Sequence, residues 1–238
     1  MVTENIKKPI FITGCARSGT SLTAGIIDKS GIWGGNTCGP TPHNQKGQFE
    51  NTEIRNRVIK GYLRFLNVDP MGQNPLPNID IVKKDAVIEG DATREEVLSI
   101  LITQGYKNNN VRWYLKGAKL CLIWPLWNAA FPTAKWVVVR RDDYDICSSC
   151  LKTSFMRAFN RRNGWLYWVG EHKKRFEEMH KAGLDIFEFW PFRVINGNEK
   201  HLEELLNYLD VEYTQKLKRD IQDFISPNLW HFKEEGGI

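Results

Sequence analysis

Between residues 9 and 31 the chain carries the residue types needed to hold an oxyanion. Gly14 and Gly19 are separated by four residues, Arg17 lies between them, and Thr20-Ser21 follows directly. Glycines let the backbone turn its N–H groups toward a ligand, and a guanidinium adds a fork of charged donors. Hydroxyls at the start of a helix complete a cradle for a phosphate. The elements that must position this cradle are legible around it. Ile10-Phe11-Ile12 is a short apolar run with β-branched content, which predicts a buried parallel strand. From Thr20 the period changes, and Leu22, Ile26 and Ile27 share one helical face until Ser30-Gly31 ends it.

The spacing is that of a nucleotide P-loop, with Thr20 where the lysine belongs. Without that lysine the β/γ-phosphates lose their cation, which counts against a kinase or NTPase. A loop reading Arg17-Ser18-Gly19-Thr20-Ser21 can still hold a single phosphate. Here the sequence resembles the sulfotransferases that use 3′-phosphoadenosine 5′-phosphosulfate (PAPS), whose 5′-phosphate loop looks like this segment. The resemblance implies that Gly14, Arg17, Ser18, Gly19, Thr20 and Ser21 bind PAPS. A second stretch extends it. Arg141, Asp145 and Ser149 follow the apolar run Ala134 to Val139. They resemble the family's 3′-phosphate motif, which implies Arg141 and Ser149 as phosphate ligands and Asp145 as a residue that orients the turn. Arg140 is the alternative arginine, and the eight-residue step to Ser149 favours Arg141. Asp143 stands where the family often has proline.

Lys116-Gly-Ala-Lys119 closes a strand expected over 111–116. Cytosolic relatives carry Lys-Thr-His at this strand end, with the lysine on the transferring group and the histidine as base. Lys116 matches the lysine, but Ala118 replaces the histidine, so the base comes from elsewhere. Lys46-Gly-Gln-Phe-Glu50 resembles the Lys-Gly-Tyr-Phe-Glu segment of a bacterial-type branch and implies Glu50 as the base, with His43, Glu89 and Asp91 as alternatives. Arg17 and Lys116 complete the implied catalytic set. No metal is expected, because cationic side chains would neutralise the charge. A protein that keeps the fold and binds nucleotide or glycan without turnover is the remaining alternative.

The rest of the chain supplies the scaffold. Trp136-Val137-Val138-Val139 is the clearest strand, and 185–190 is a further candidate. Helical periodicity is expected from Thr52, from a capping-box pattern at Thr93-Arg-Glu-Glu96, over 120–130, through much of 143–182, and over 200–209 and 214–225. Pro70, Pro75 and Pro77 mark a loop. Strands alternating with helices predict an α/β chain, a three-layer P-loop-like fold with a central parallel sheet flanked by helices. Its ligands sit beyond the carboxyl ends of the strands, where Gly14–Ser21, Lys116 and Arg140–Arg141 converge. One domain over 1–238 is expected, with the cofactor core at about 9–153 and a helical acceptor side at about 154–238.

Among 238 residues, 42% are hydrophobic and 26% charged, enough for one sizeable core. No apolar run reaches the ~18 residues that a membrane helix needs. The polar first eight residues carry no signal-peptide pattern. Five irregularly spaced cysteines suit a reducing, cytoplasmic setting better than a disulfide framework. Cys147 and Cys150 are read as one face of a core helix. The net charge of +5 suits an anionic cofactor without requiring nucleic acid. Arg157, Arg161, Arg162, Lys173, Lys174 and Arg175 are read as a solvated helical face. Trp165 and Trp168 raise the possibility of a carbohydrate acceptor stacked on indoles, whereas Trp113, Trp124 and Trp136 read as core.

Overall fold

The computed structural model describes residues 8–41, 44–107 and 111–225. Four parallel strands form the central sheet: β1 (Ile10–Gly14), β2 (Tyr114–Lys116), β3 (Lys135–Val139) and β4 (Asp185–Phe189). Their order is β2-β1-β3-β4, with Ile12 opposite Lys116 on one side and Gly14 opposite Val139 on the other. Strand side chains alternate between faces, so the sheet has two apolar surfaces to cover. Phe11, Leu115, Trp136 and Val138 enter one core, and Ile10, Ile12, Val137 and Val139 enter the other.

Helices cover both surfaces, giving the expected three layers. The second core is closed by α1 (Thr20–Lys29), α8 (Glu199–Tyr208) and α9 (Gln215–Phe224). The first is closed by α3 (Ile79–Thr103), α4 (Trp124–Ala130), α5 (Asp143–Leu151) and α6 (Arg162–Lys181). Its centre is aromatic. The Phe11 ring meets Trp136 edge-on at 4.9 Å and Trp127 at 5.4 Å. A six-residue π-helical segment (Ile54–Ile59) leads into α2 (Lys60–Phe65), and α7 (Pro191–Ile195) follows β4. No helix among the described residues is long and apolar enough to cross a membrane.

Several expectations are corrected. No helix starts at Thr93. It lies inside α3, which has already begun at Ile79, where the Asn78 side chain accepts from Asp80 N at 2.9 Å. Thr-x-x-Glu fits a helix interior as well as a cap, and the true start follows the proline loop. The helical run over 143–182 is two helices. Gln73 holds the stretch between them, its Oε1 accepting from Arg157 N at 2.7 Å and Ala158 N at 3.1 Å. These bonds satisfy backbone donors that the helix would otherwise have used. The 111–116 strand is shorter, with Trp113 only bridging Trp33 ahead of β2. Of the basic cluster, Arg175 is buried and donates to Pro77 O at 3.4 Å, so it belongs to the packing and not to a solvated face.

Candidate active site

The turn after β1 is built by glycine. Gly14 has φ 152°, and a Cβ there would meet Val139 O at 2.5 Å. Gly19, at φ 100°, is the N-cap of α1 and offers no side-chain acceptor to the first helical N–H groups. These donors are therefore available to an anion, which the positive end of the helix also favours. Arg17 itself adopts φ 73°. Ser18 Oγ is buried and has no hydrogen-bond partner among the described residues. A buried hydroxyl without a partner is costly, and this one lies against Gly14, where an added Cβ would meet it at 2.9 Å. Thr20, in the P-loop lysine position, is buried in the first turn of α1.

The segment after β3 is braced against this loop. Arg141 Nη1 donates to Arg17 O at 3.0 Å, and Arg17 Nε donates to Ser149 Oγ at 3.0 Å. Asp142 caps α5 by accepting from Tyr144 N and Asp145 N. Asp145 instead holds the Arg141 guanidinium, at 3.4 Å from Nε. Burial lowers the pKa of both guanidiniums, and each keeps its charge because the starting value is so high. Two cations side by side are the arrangement a polyanion stabilises. Arg140 is turned away. It pairs with Glu188 at 2.7 Å and lies over the Phe176 and Trp190 rings.

At the end of β2, Lys116 is buried and its Nζ lies 2.9 Å from Glu50 Oε1. Glu50 Oε2 lies 3.4 Å from Arg55 Nη1. Burial pushes the Glu50 pKa up, but Lys116, Lys119 and Arg55 outweigh it and hold the carboxyl at about 2. Its backbone is fixed too, since Cys38 N donates to Glu50 O at 2.8 Å. Lys119, three residues beyond Lys116, has its pKa lowered by burial, against which Glu50 acts in opposition.

Arg17, Glu50, Lys116 and Arg141 line one cavity of about 320 Å³, whereas Gly14, Ser18, Arg140 and Asp145 do not. It contains Arg17, Lys46, Arg55, Lys60, Lys116, Lys119 and Arg141 in its walls, with Glu50 as the carboxylate among these described residues. Gly19, Thr20, Ser21 and Ser149 face it, as does Ala118, so the histidine position of cytosolic relatives offers no proton acceptor. Glu89 and Asp91 sit exposed on α3 and do not line the cavity. His43 lies outside the described residues.

Other lining residues carried no signal in the sequence. Arg55 and Lys60 come from the π-helical segment and α2, and Gln73, Phe155, Met156 and His172 come from the side of α6. Only the Trp168–His172 pair had a readable clue, a four-residue step that puts both rings on one helical face. Trp165 and Trp168 are buried, and their indole N–H groups are committed to Phe159 O and Gly72 O, both at 2.9 Å. Neither ring is an exposed platform for a sugar.

The family model described as "Sulfotransferase family" matches residues 9–215. No curated protein matches the chain. Among solved structures, it is similar to the sulfotransferase STF9 from Mycobacterium avium, with 13% identity and a TM-score of 0.56 over 93% of this chain and 68% of that one. The sulfotransferase domain of the olefin synthase from Synechococcus PCC 7002 gives 14% identity and a TM-score of 0.56 over 97% and 85% of the two chains. The sulfotransferase domain from the curacin biosynthetic pathway gives 14% and 0.54 over 90% and 77%. At such identities the likeness to these structures is one of fold.

Proposed function

Because the chain belongs to the sulfotransferase family, we propose that it transfers a sulfuryl group from PAPS to a hydroxyl of a small acceptor. The observation that carries this reading is the brace Arg141–Arg17–Ser149, which unites two anion-binding segments on one cavity wall. An adenosine carrying phosphates at both 3′ and 5′ positions needs two such segments close together. The open N-terminus of α1 and the cavity-lining Arg17, Gly19, Thr20 and Ser21 support the 5′ assignment to the loop Gly14, Arg17, Ser18, Gly19, Thr20 and Ser21. Arg141 and Ser149 take the 3′-phosphate.

PAPS supplies an electrophilic sulfur and a bisphosphate leaving group, and the rest of the chemistry falls to this chain. Arg17 and Lys116 neutralise charge that grows on the transferring oxygens. Glu50 takes the acceptor's proton. While Lys116 stays on Glu50, that carboxylate is ionised but weakly basic. Turning the ammonium toward sulfuryl oxygen removes the strongest opposing charge, so the base strengthens as the cation is recruited. Five free cysteines suit the cytoplasm as the site of action.

Adenosine 3′,5′-bisphosphate should raise the melting temperature more than AMP or ATP does, since stabilisation follows affinity. Arg141→Ala should cost ~1.5–3 kcal/mol of bisphosphate binding and erase the preference over AMP. Equal thermal shifts from the two nucleotides would overturn the assignment of a 3′-phosphate site.

A further inference from the structure

One wall of the cavity differs in chemistry from the rest. Met71, Leu122, Phe155, Met156 and Trp168 line it with carbon and sulfur, and the His172 ring completes it. These residues are contiguous. Trp168 Nε1 binds Gly72 O, Gln73 Nε2 binds Phe155 O at 2.8 Å, and the Trp168 and His172 rings lie 4.0 Å apart. A Cβ on Gly72 would lie 3.0 Å from Leu122 and 3.1 Å from the Lys119 side chain, so the wall adjoins the cationic end.

His172 has a defined tautomer. Its Nδ1 lies 2.9 Å from Trp168 O, and a carbonyl can only accept, so Nδ1 carries the hydrogen. Nε2 is then a lone-pair acceptor. Burial holds the ring's pKa down at about 4, so it is neutral at physiological pH. The other polar groups of this wall are spent. Gln73 uses its amide on Phe155 O, Arg157 N and Ala158 N, and the Trp168 indole uses its N–H on Gly72 O. Asn44, Gln45 and Gln48 line the same cavity from the segment that carries Lys46 and Glu50.

Resting on the sulfotransferase reading above, we infer that this wall is the acceptor subsite, that it takes a hydroxyl carried on a hydrocarbon skeleton, and that His172 Nε2 accepts the hydrogen bond from that hydroxyl as the acceptor docks, before the same hydrogen turns to Glu50 for transfer. An acceptor-only nitrogen selects an O–H donor and disfavours an oxyanion. A sugar would bring several hydroxyls to a wall with one open acceptor among its described residues. Each hydroxyl left without a partner gives up its bonds to water unrepaid and weakens binding. An alcohol or phenol brings one, and methionines adapt to the shape of its carbon skeleton.

The test titrates bisphosphate-loaded protein with 2-naphthol, 1-octanol and methyl β-D-glucopyranoside by calorimetry. Naphthol and octanol should bind and the glucoside should not. Nitrogen NMR of histidine-labelled protein should give the Nδ1–H tautomer, with the Nε2 signal moving on addition of naphthol. His172→Phe keeps a ring beside Trp168 and should weaken naphthol binding about three- to tenfold, the value of one neutral hydrogen bond. His172→Gln restores an acceptor and should recover part of the loss, with bisphosphate affinity unchanged throughout. Preferential glucoside binding, a proton on Nε2, or unchanged naphthol affinity in His172→Phe would overturn the inference. Failure of the parent to bind bisphosphate would strike the cofactor reading instead, and the naphthol and tautomer measurements would still decide the acceptor wall.

Discussion

Glu50 is the residue on which opposing effects are most finely set. Burial alone would raise its pKa, yet three cations hold it at about 2, below the ordinary 4.5. The folded value lies below the unfolded one, so the pair stabilises the fold above about pH 4.5, and this contribution fades as pH falls toward 2. Through the neutral range the carboxylate is fully ionised, and the rate should show no acidic limb from this group. Glu50→Gln keeps the shape and removes the basicity. It should lower turnover by ~10²–10⁴-fold, the range for a lost general base, with bisphosphate affinity nearly unchanged. Steady-state assays and calorimetry on the purified variant check both, and turnover within about threefold of the parent would remove Glu50 from the role. Glu50 and Lys116 were legible only through the resemblance of short motifs. Nothing in their spacing, 66 residues apart, announces a 2.9 Å ion pair. Arg55, Lys119 and His172 were not assigned at all, because their roles depend on which way a loop or helix turns at the cavity.

At the scale of elements, the strands were the readable part, and the reason is local. Buried parallel strands need runs such as Ile10-Phe11-Ile12 and Trp136 to Val139, with both faces apolar. The helix ends were less readable because partners distant in sequence decide them. Thr93 has the form of a cap without its position, and the stretch between α5 and α6 is held by Gln73, 84 residues before Arg157. Gln73 is buried and ties the 71–73 turn to the chain at Phe155 through Ala158. Gln73→Ala would leave backbone groups at Phe155, Arg157 and Ala158 without these partners. The expected loss is about 1–3 kcal/mol of stability, read by urea denaturation. The acceptor wall would loosen, so the KM for the acceptor should rise while bisphosphate binding holds. A matching loss of bisphosphate affinity would mean that the turn supports the whole cavity and not its acceptor wall alone.

Over the whole molecule, the sheet brings together residues that the sequence scatters. Gly14, Lys116 and Val139 end adjacent parallel strands, so the loops after β1, β2 and β3 meet at one edge. That convergence followed from the alternation of strands and helices. The strand order β2-β1-β3-β4 did not, because it depends on crossovers that leave no local mark. Charge follows the same logic. Surface cations such as Lys173 and Lys174 pair with Asp143 and Glu171, whereas seven lysines and arginines among the described residues line the cavity that holds Glu50. Fixed cations in a recessed site act without the reorganisation that water would need. In phosphoryl transfer the same neutralisation is supplied largely by Mg²⁺ bridging phosphates. Here Arg17, in the loop after β1, and Lys116 line one cavity, and Glu50, the lining carboxylate among the described residues, is held by Lys116 and Arg55. Sulfuryl transfer from PAPS should therefore continue in excess EDTA at an undiminished rate, followed by release of adenosine 3′,5′-bisphosphate. Strict dependence on added Mg²⁺ with consumption of ATP would instead assign the cavity to phosphoryl transfer, with Thr20 standing in a lysine's place.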